Sequence, residues 1–201
     1  MAQPEHTAGA HSQAAAAAPG DVTRLLQAAS AGDRAALDRV LPLLYEDLRR
    51  LARRQLARER GSRTIQPTTL VHEAYLKLAR SAPRARDRAH LLAIAAHAMR
   101  QVLVDHARER LTAKRGSGWA STTLTDGVST TSLDPAEFIA LDDALERLDP
   151  RQRQVVECRF FAGLDDAEIA DALGVTTRTV RRDWAKARAW LTRWLSEKSP
   201  P

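Results

Sequence analysis

The 201-residue chain predicts an all-α fold: two helical units joined by a flexible linker. Three observations carry that prediction. Apolar residues recur at helical spacing in one segment after another, and nowhere do β-branched residues alternate with polar ones as in a strand. Residues 115–133, rich in Gly, Ser and Thr, interrupt the helical pattern once. The stretch Leu164–Leu195, LDDAEIADALGVTTRTVRRDWAKARAWLTRWL, reads as a helix-turn-helix.

Taken in order, residues 1–20 are mostly Ala, His, Gln, Pro and Gly with no apolar period, the composition of a disordered tail. The first unit is expected over residues 21–114. Asp21 or Thr23 can cap its first helix, Val22–Ala31. A second helix is expected over Arg34–Arg60, with a break or kink at Pro42. Its apolar face is Leu37, Val40, Leu41, Leu44, Leu48 and Leu51, and arginines crowd its end. Thr68 or Thr69 caps a third helix, Leu70–Ala79, in which Leu70, Ala74 and Leu78 share one face. That leaves His72, Glu73, Leu76 and Lys77 toward the outside. His72-Glu73 lacks the second histidine of a zinc-peptidase helix, because Leu76 holds that place. An outward glutamate beside an outward leucine reads instead as a protein-docking face.

Ser81–Arg88 is a basic loop containing Arg84, Arg86 and Arg88. A long helix follows, Ala89–Lys114, with Leu92, Ala95, Ala96, Met99, Val102, Leu103 and His106 inward and Arg100, Gln101 and Arg108 outward. His90 and His97 share a face, but no Cys, Asp or Glu completes a ligand set, so they are read as structural or DNA-facing. The second unit is expected over residues 134–196. Asp134-Pro135 opens it as cap and first helical residue, with Phe138, Leu141, Leu145 and Leu148 as core face. Asp149-Pro150 repeats the start signal, and Gln152 holds the capping-box position. Helix Arg151–Phe161 then turns Val155, Val156, Cys158 and Phe160 inward before Gly163 stops it.

In the helix-turn-helix, Asp165 and Glu168 form a capping-box pattern, Ile169 and Leu173 share a face, and Gly174 ends the helix. Thr176 or Thr177 caps the second helix. There Val180, Trp184, Ala187 and Leu191 form a buried stripe, and Arg178, Arg181, Arg182 and Lys186 fall outside it. A second helix with arginines on its outer face is the geometry that enters the DNA major groove, where the guanidinium fork bonds guanine edges or phosphate.

Composition narrows the classes. Lys+Arg is 31 against Asp+Glu 25, a net charge of +6 that suits an anionic partner. The lone Cys158 excludes an internal disulfide and points to a reducing cytoplasm; in an apolar helix it reads as a small core residue. No run of 18 apolar residues occurs, so no membrane insertion is expected, nor is a secretory signal. An enzyme would need a carboxylate or metal cluster on one face, and none is found, so neither catalysis nor a cofactor is expected. A stand-alone helix-turn-helix regulator would carry a ligand or phospho-acceptor domain, usually α/β, and the absence of strand patterns argues against it.

Four blocks in order carry a resemblance: LPLLYEDLRRLARRQL from Leu41, TIQPTTLVHEAYLKLA from Thr64, HLLAIAAHAMRQVLVDHARER from His90, and LERLDPRQRQVVECRFFAGLDDAEIADALGVTTRTVRRDWAKARAWL from Leu145. Over about Val22–Leu195 the chain resembles a bacterial sigma-70 family RNA polymerase sigma factor of the extracytoplasmic-function group. The resemblance implies a sigma region 2-like first unit and a region 4-like second unit. It implies core RNA polymerase as partner, through the β′ clamp helices and the β flap, together with promoter DNA and, in many members, an anti-sigma factor. Carried over residue by residue, His72, Glu73, Leu76 and Lys77 would dock on polymerase. Arg84, Arg86, Arg88, His90, Arg100, Gln101 and Arg108 would open and hold the −10 element. Thr177, Arg178, Arg181, Arg182 and Lys186 would read the −35 element. Pro83–Leu92 has no Trp, Phe or Tyr to stack on an opened strand, so melting is expected to rest on arginines, His90 and a base pocket formed by the loop.

Overall fold

The computed structural model describes residues 19–58, 65–81, 85–116 and 133–198. Residues 1–18 of the expected tail, nearly all of the expected linker and Arg84 lie outside the described residues. Among the described residues every regular element is helical, as the apolar periods predict.

Helix α1 (Pro19–Ser30) starts earlier than expected, because Pro19 supplies a φ already suited to a first turn. Asp21 is therefore not its cap; it sits in that first turn and pairs with Arg24. Helix α3 (Pro67–Ser81) starts at a proline for the same reason, which moves Thr68 and Thr69 from cap to first turn. Helix α2 (Arg34–Leu56) is capped by Asp33, whose side chain accepts from Ala36 N–H at 3.1 Å, and it carries Pro42 in its interior. Helix α4 (Arg88–Gly116) is capped by Asp87, which accepts from His90 N–H at 2.8 Å.

α4 is the axis of the molecule. Leu91, Leu92, Ala95, Ala96, Ala98, Met99, Val102, Leu103, Val104 and Ala107 are all buried, so the helix is covered around its circumference rather than along one stripe. Helices α2 and α3 pack on it from one side. Helices α5 (Pro135–Glu146) and α7 (Asp166–Leu173), with the segment between them, pack from the other. One apolar core therefore joins Leu48, Leu70, Met99 and Leu103 to Phe138, Leu145, Val156 and Phe161 of the second unit. The alanines let the helices approach closely, and each large side chain sealed there is worth about 1.5–3 kcal/mol.

Helix α6 (Pro150–Val156), capped by Asp149, runs directly into a π-helical segment, Glu157–Ala162, that ends on Gly163 at φ +73°. The wider turn rotates the chain past the 3.6-residue period. This corrects the expected face: Phe161, at 2 % exposure, enters the core, whereas Phe160 is only half-buried and lies under the guanidinium of Arg58. Helix α8 (Thr177–Lys198) completes the fold, lying against α6 and α7.

Candidate nucleic-acid interface

The turn before α8 is fixed by local chemistry. Asp165 accepts from the N–H groups of Ala167 and Glu168, and Glu168 returns a bond to Asp165 N–H at 2.9 Å, closing the capping box. Gly174 takes the left-handed conformation at φ +67°, and Thr176 caps α8 by accepting from Thr179 N–H at 3.2 Å. Beneath the turn Ile169, Ala170 and Val180 close on Val155, Cys158 and Leu164. The Cys158 thiol is pushed up to about 12, first by burial and then by the charge of Glu157, so it is protonated and inert at neutral pH.

On this frame Thr177, Arg178, Arg181, Arg182 and Lys186 are all exposed. Arg181 is aimed by Asp166, which accepts from its Nε at 2.8 Å. Arg182 leans on Asp183 at 3.4 Å. Asp183 is the residue that sequence reasoning missed here. It is 2 % exposed on the inner side of α8, and its carboxylate accepts from Arg151 Nε at 2.6 Å, tying the recognition helix to the start of α6. The Arg151 hydrogen bond holds its carboxyl below the usual aspartate range.

The residues expected to hold the −10 element are dispersed. Arg88 is exposed and bonds Asp47 at 2.8 Å. His90 is half-buried and its Nδ1 accepts from Arg86 N–H at 3.3 Å. Burial, and then the charge of Arg86, lower its pKa against a smaller opposing pull from Asp87. The Arg86 side chain reaches across to the carbonyl of Ala172 at 2.5 Å. Gln101 is partly buried against His97. Arg108 is half-exposed and faces Asp142 at 3.5 Å.

Arg100 corrects the expectation outright: it is not outward but 1 % exposed. Its guanidinium meets Asp142, Glu157 at 2.7 Å and Glu146 at 3.5 Å, all from the second unit. Burial alone would raise the Glu157 carboxyl, but His97, bonded to it at 2.9 Å, and Arg100 together bring it below its usual value.

Of the docking set, His72 is exposed and Leu76 is 42 % exposed. Glu73 and Lys77 are not free. Glu73 bonds His106 at 3.1 Å and Lys77 bonds Asp105 at 3.0 Å, so both clamp α3 to α4. An apolar cavity of about 750 Å³ opens between α5, the π-helical segment and α8, lined by Leu133, Leu141, Phe160, Trp184, Leu191 and Leu195 among others.

Among the described residues no helix is long and apolar enough to cross a membrane. No curated protein sequence matches the chain. Several solved structures are similar, two of which illustrate the match. One is CnrH in complex with the cytosolic domain of CnrY: 19% identity over 89% of this chain and 99% of that one, TM-score 0.39. The other is the sigma factor RpoE with the anti-sigma factor NepR from Bartonella quintana: 18% identity over 81% and 98%, TM-score 0.37. The decisive comparison is with a family model, described as ECF sigma factor, that matches residues 19–197 and so takes in every described helix but the last residue of α8. The chain thus belongs to the ECF sigma factor family, and it acts by binding core RNA polymerase and directing it to promoter DNA for transcription initiation.

Proposed function

We propose that the two units divide that work. Residues 21–114 hold core polymerase and the −10 element, residues 134–196 read the −35 element, and residues 115–133 span between them. The observation that supports the division is the exposed row Arg178, Arg181, Arg182 and Lys186 on a helix whose turn is fixed by a capping box and a left-handed glycine. Thr177, at the first helical position, completes the row. Two weak contacts on one tethered chain multiply into a strong one only when both are engaged. The chain contributes recognition and no catalysis of its own, and it works in the reducing cytoplasm where its polymerase is.

On the first unit, Arg84, Arg86, Arg88, His90, Gln101 and Arg108 form the −10 set, from which Arg100, sealed among Asp142, Glu146 and Glu157, stands apart, and His72 and Leu76, flanked by Glu73 and Lys77, form the polymerase-docking face. Leu76→Glu tests the docking face better than Glu73→Lys does, because the latter also breaks the bond to His106. The test of the whole reading is run-off transcription with purified core polymerase on a pool of promoter fragments. New discrete transcripts are expected only with the protein present. Arg181→Ala is expected to lower −35 duplex affinity by roughly tenfold or more while leaving core binding intact. Leu76→Glu is expected to do the reverse. Equal effects of both variants on both affinities would refute the division.

A further inference from the structure

Asp166 takes no part in the capping box that opens α7, which Asp165 and Glu168 close between them. It is the first residue of that helix, and both of its carboxylate oxygens are engaged elsewhere. Oδ2 accepts from Arg181 Nε on α8 at 2.8 Å. Oδ1, sealed from solvent, faces the guanidinium of Arg159 in the π-helical segment. Arg159 is itself held: its guanidinium carbon lies 5.0 Å from the centre of the Trp184 ring, which packs on the core beneath the turn. The side chains of Asp166 and Arg159 are 24% and 30% exposed, whereas that of Arg181 is 72% exposed. A largely buried pair therefore holds an arginine whose head stands in solvent. Its neighbours are held differently. Arg182 leans on Asp183, the next residue, through a longer bond of 3.4 Å. Arg178 and Lys186 have no carboxylate partner among the described residues.

We propose that Asp166 is a positioning residue for promoter readout: anchored by Arg159, it presents Arg181 as the reader of a guanine in the −35 element, while Arg178 and Lys186 grip phosphate. The inference rests on the assignment of α8 to the −35 element made above. A guanine shows O6 and N7 in the major groove, and an arginine bonds both only when its fork lies along the base pair. The bond through Nε fixes the plane of the Arg181 guanidinium and leaves both Nη groups free. The cost of ordering a long side chain is thus met before DNA arrives. The carboxylate also offsets part of the cation's charge. That weakens a phosphate contact, which needs charge, more than a base contact, which needs angle. Arg181 lies one turn into α8, and the N-terminal residues of a recognition helix are those that reach base edges. Asp166 is not itself a reader of a cytosine amino group, because both of its oxygens are already taken. Arg178 and Lys186 keep their full charge and their freedom of angle, which suits phosphate.

The experiment reads specificity base by base. The full-length chain, reconstituted with core polymerase, is titrated by fluorescence anisotropy with −35 duplexes from a promoter mapped by run-off transcription. One duplex has the mapped sequence, and in each of the others one base pair is replaced. In the wild-type protein, replacing one particular G·C pair is expected to cost about tenfold or more. Arg181→Ala is expected to erase that penalty at that pair alone. Asp166→Ala is expected to shrink it by about threefold to fivefold, the effect of an unordered side chain, while affinity for the duplex lacking the guanine stays within about twofold. Asp166→Asn, which keeps an acceptor for Nε but no charge, should fall between Asp166→Ala and the wild type. In the Arg181→Ala background Asp166→Ala should change nothing further at that pair, because no fork remains to be aimed. Arg178→Ala should weaken every duplex alike and lower the salt slope by about one. Asp166→Ala leaves the capping box in place, and circular dichroism checks its fold. Arg159→Met, which spares the Asp166–Arg181 bond but removes its anchor, should shrink the same penalty. A guanine penalty unchanged in Asp166→Ala, or a loss of affinity spread evenly over all duplexes, would overturn the positioning role. Arg181→Ala weakening every duplex alike would overturn the guanine readout and leave the −35 assignment standing. Arg181→Ala without effect on any duplex would place the error in the −35 assignment itself.

Discussion

Ile169 is the residue on which the recognition helix depends most. It is 0% exposed where α6, α7 and α8 meet, among Val155, Cys158, Leu164, Ala170 and Val180. Ile169→Ala removes three carbon atoms. At about 0.8 kcal/mol per buried methylene the transfer loss is roughly 2.4 kcal/mol. A cavity term adds to this, and it is not relieved by collapse, because Val155 and Val180 are β-branched helical residues held to essentially one rotamer. The total is about 3–4 kcal/mol, in the upper part of the range for such truncations. A unit the size of residues 134–196 draws only about 3–5 kcal/mol from its own core, so the substitution removes most of it. Urea unfolding followed by tryptophan fluorescence measures the loss directly, because Trp184, Trp190 and Trp194 all lie on α8. Trp119 is replaced by Phe so that the signal belongs to that helix alone. The midpoint should fall, and −35 duplex affinity should fall with the folded fraction. A loss below about 1.5 kcal/mol would refute the packing argument, since the site would then have collapsed without cost. An unchanged midpoint with lost duplex binding would show that Ile169 acts at the DNA and not beneath it.

Two further outcomes follow from the backbone and the titrating groups. At Gly174 a Cβ would meet nothing nearer than Arg86 Nη1 at 3.6 Å, so Gly174→Ala is resisted by backbone conformation alone, at φ +67°. It should cost about 1 kcal/mol, read as a lowering of the melting temperature by a few degrees, and a cost near zero would mean the turn is not set there. Acid should weaken the fold in two stages. His90, lowered chiefly by burial, has a folded pKa below its unfolded one, so its contribution is complete above about pH 6.5 and fades as pH falls through the lowered value. Glu157 and Asp183 are also lowered, so theirs is complete above about pH 4.3 and is lost as pH falls through their lowered folded values. Melting temperature against pH should lose its upper step in His90→Gln and be blunted at the lower one in Glu157→Gln; unchanged profiles would refute the assignments.

What was legible in the sequence was whatever local chemistry decides. The Asp165–Glu168 capping box, Gly174 and the stripe from Val180 to Leu191 act within a few residues of themselves, and they stand where the spacing put them. Helix starts at Pro19 and Pro67 were missed because two devices competed, a proline at the first position and a hydroxyl or carboxylate just after it, and the proline prevailed. Phe160 and Phe161 exchanged roles because a π-helical turn leaves no mark in a periodic pattern. Arg100 was misplaced for a non-local reason: its partners Asp142 and Glu157 lie far along the chain. A signal was nevertheless present on the other side of that contact. Asp142 sits four residues after Phe138 and three before Leu145, on the core face of α5, and Asp183 sits three residues after Val180 on the core face of α8. A carboxylate in an apolar stripe must bring a cation with it, and two such carboxylates ask which two arginines meet them: Arg100, itself buried, and Arg151, which reaches in from the surface.

That question changes how the net charge of +6 is read. Taken as a total it predicts an anionic partner, but the total is not available to that partner. Arg100 is sealed among carboxylates, and Arg54, Arg58, Arg86 and Arg108 end on carbonyls and carboxylates of the same chain; on α8 Arg178 and Lys186 stand exposed, and so do Arg181 and Arg182, although these two pair with Asp166 and Asp183 at the helix surface. Binding of the free chain to a −35 duplex should then release counterions for those four positions at most. With about 0.9 of an ion per phosphate neutralised, the slope of log affinity against log salt should be no steeper than about −3.6, and shallower if an arginine meets a base edge instead. Arg178→Ala and Arg181→Ala should each reduce it by about one if they grip phosphate. A slope much steeper than that, in the absence of polymerase, would mean that the first unit's arginines had joined the contact and that the division of charge between the inside and the outside of the molecule is not as drawn.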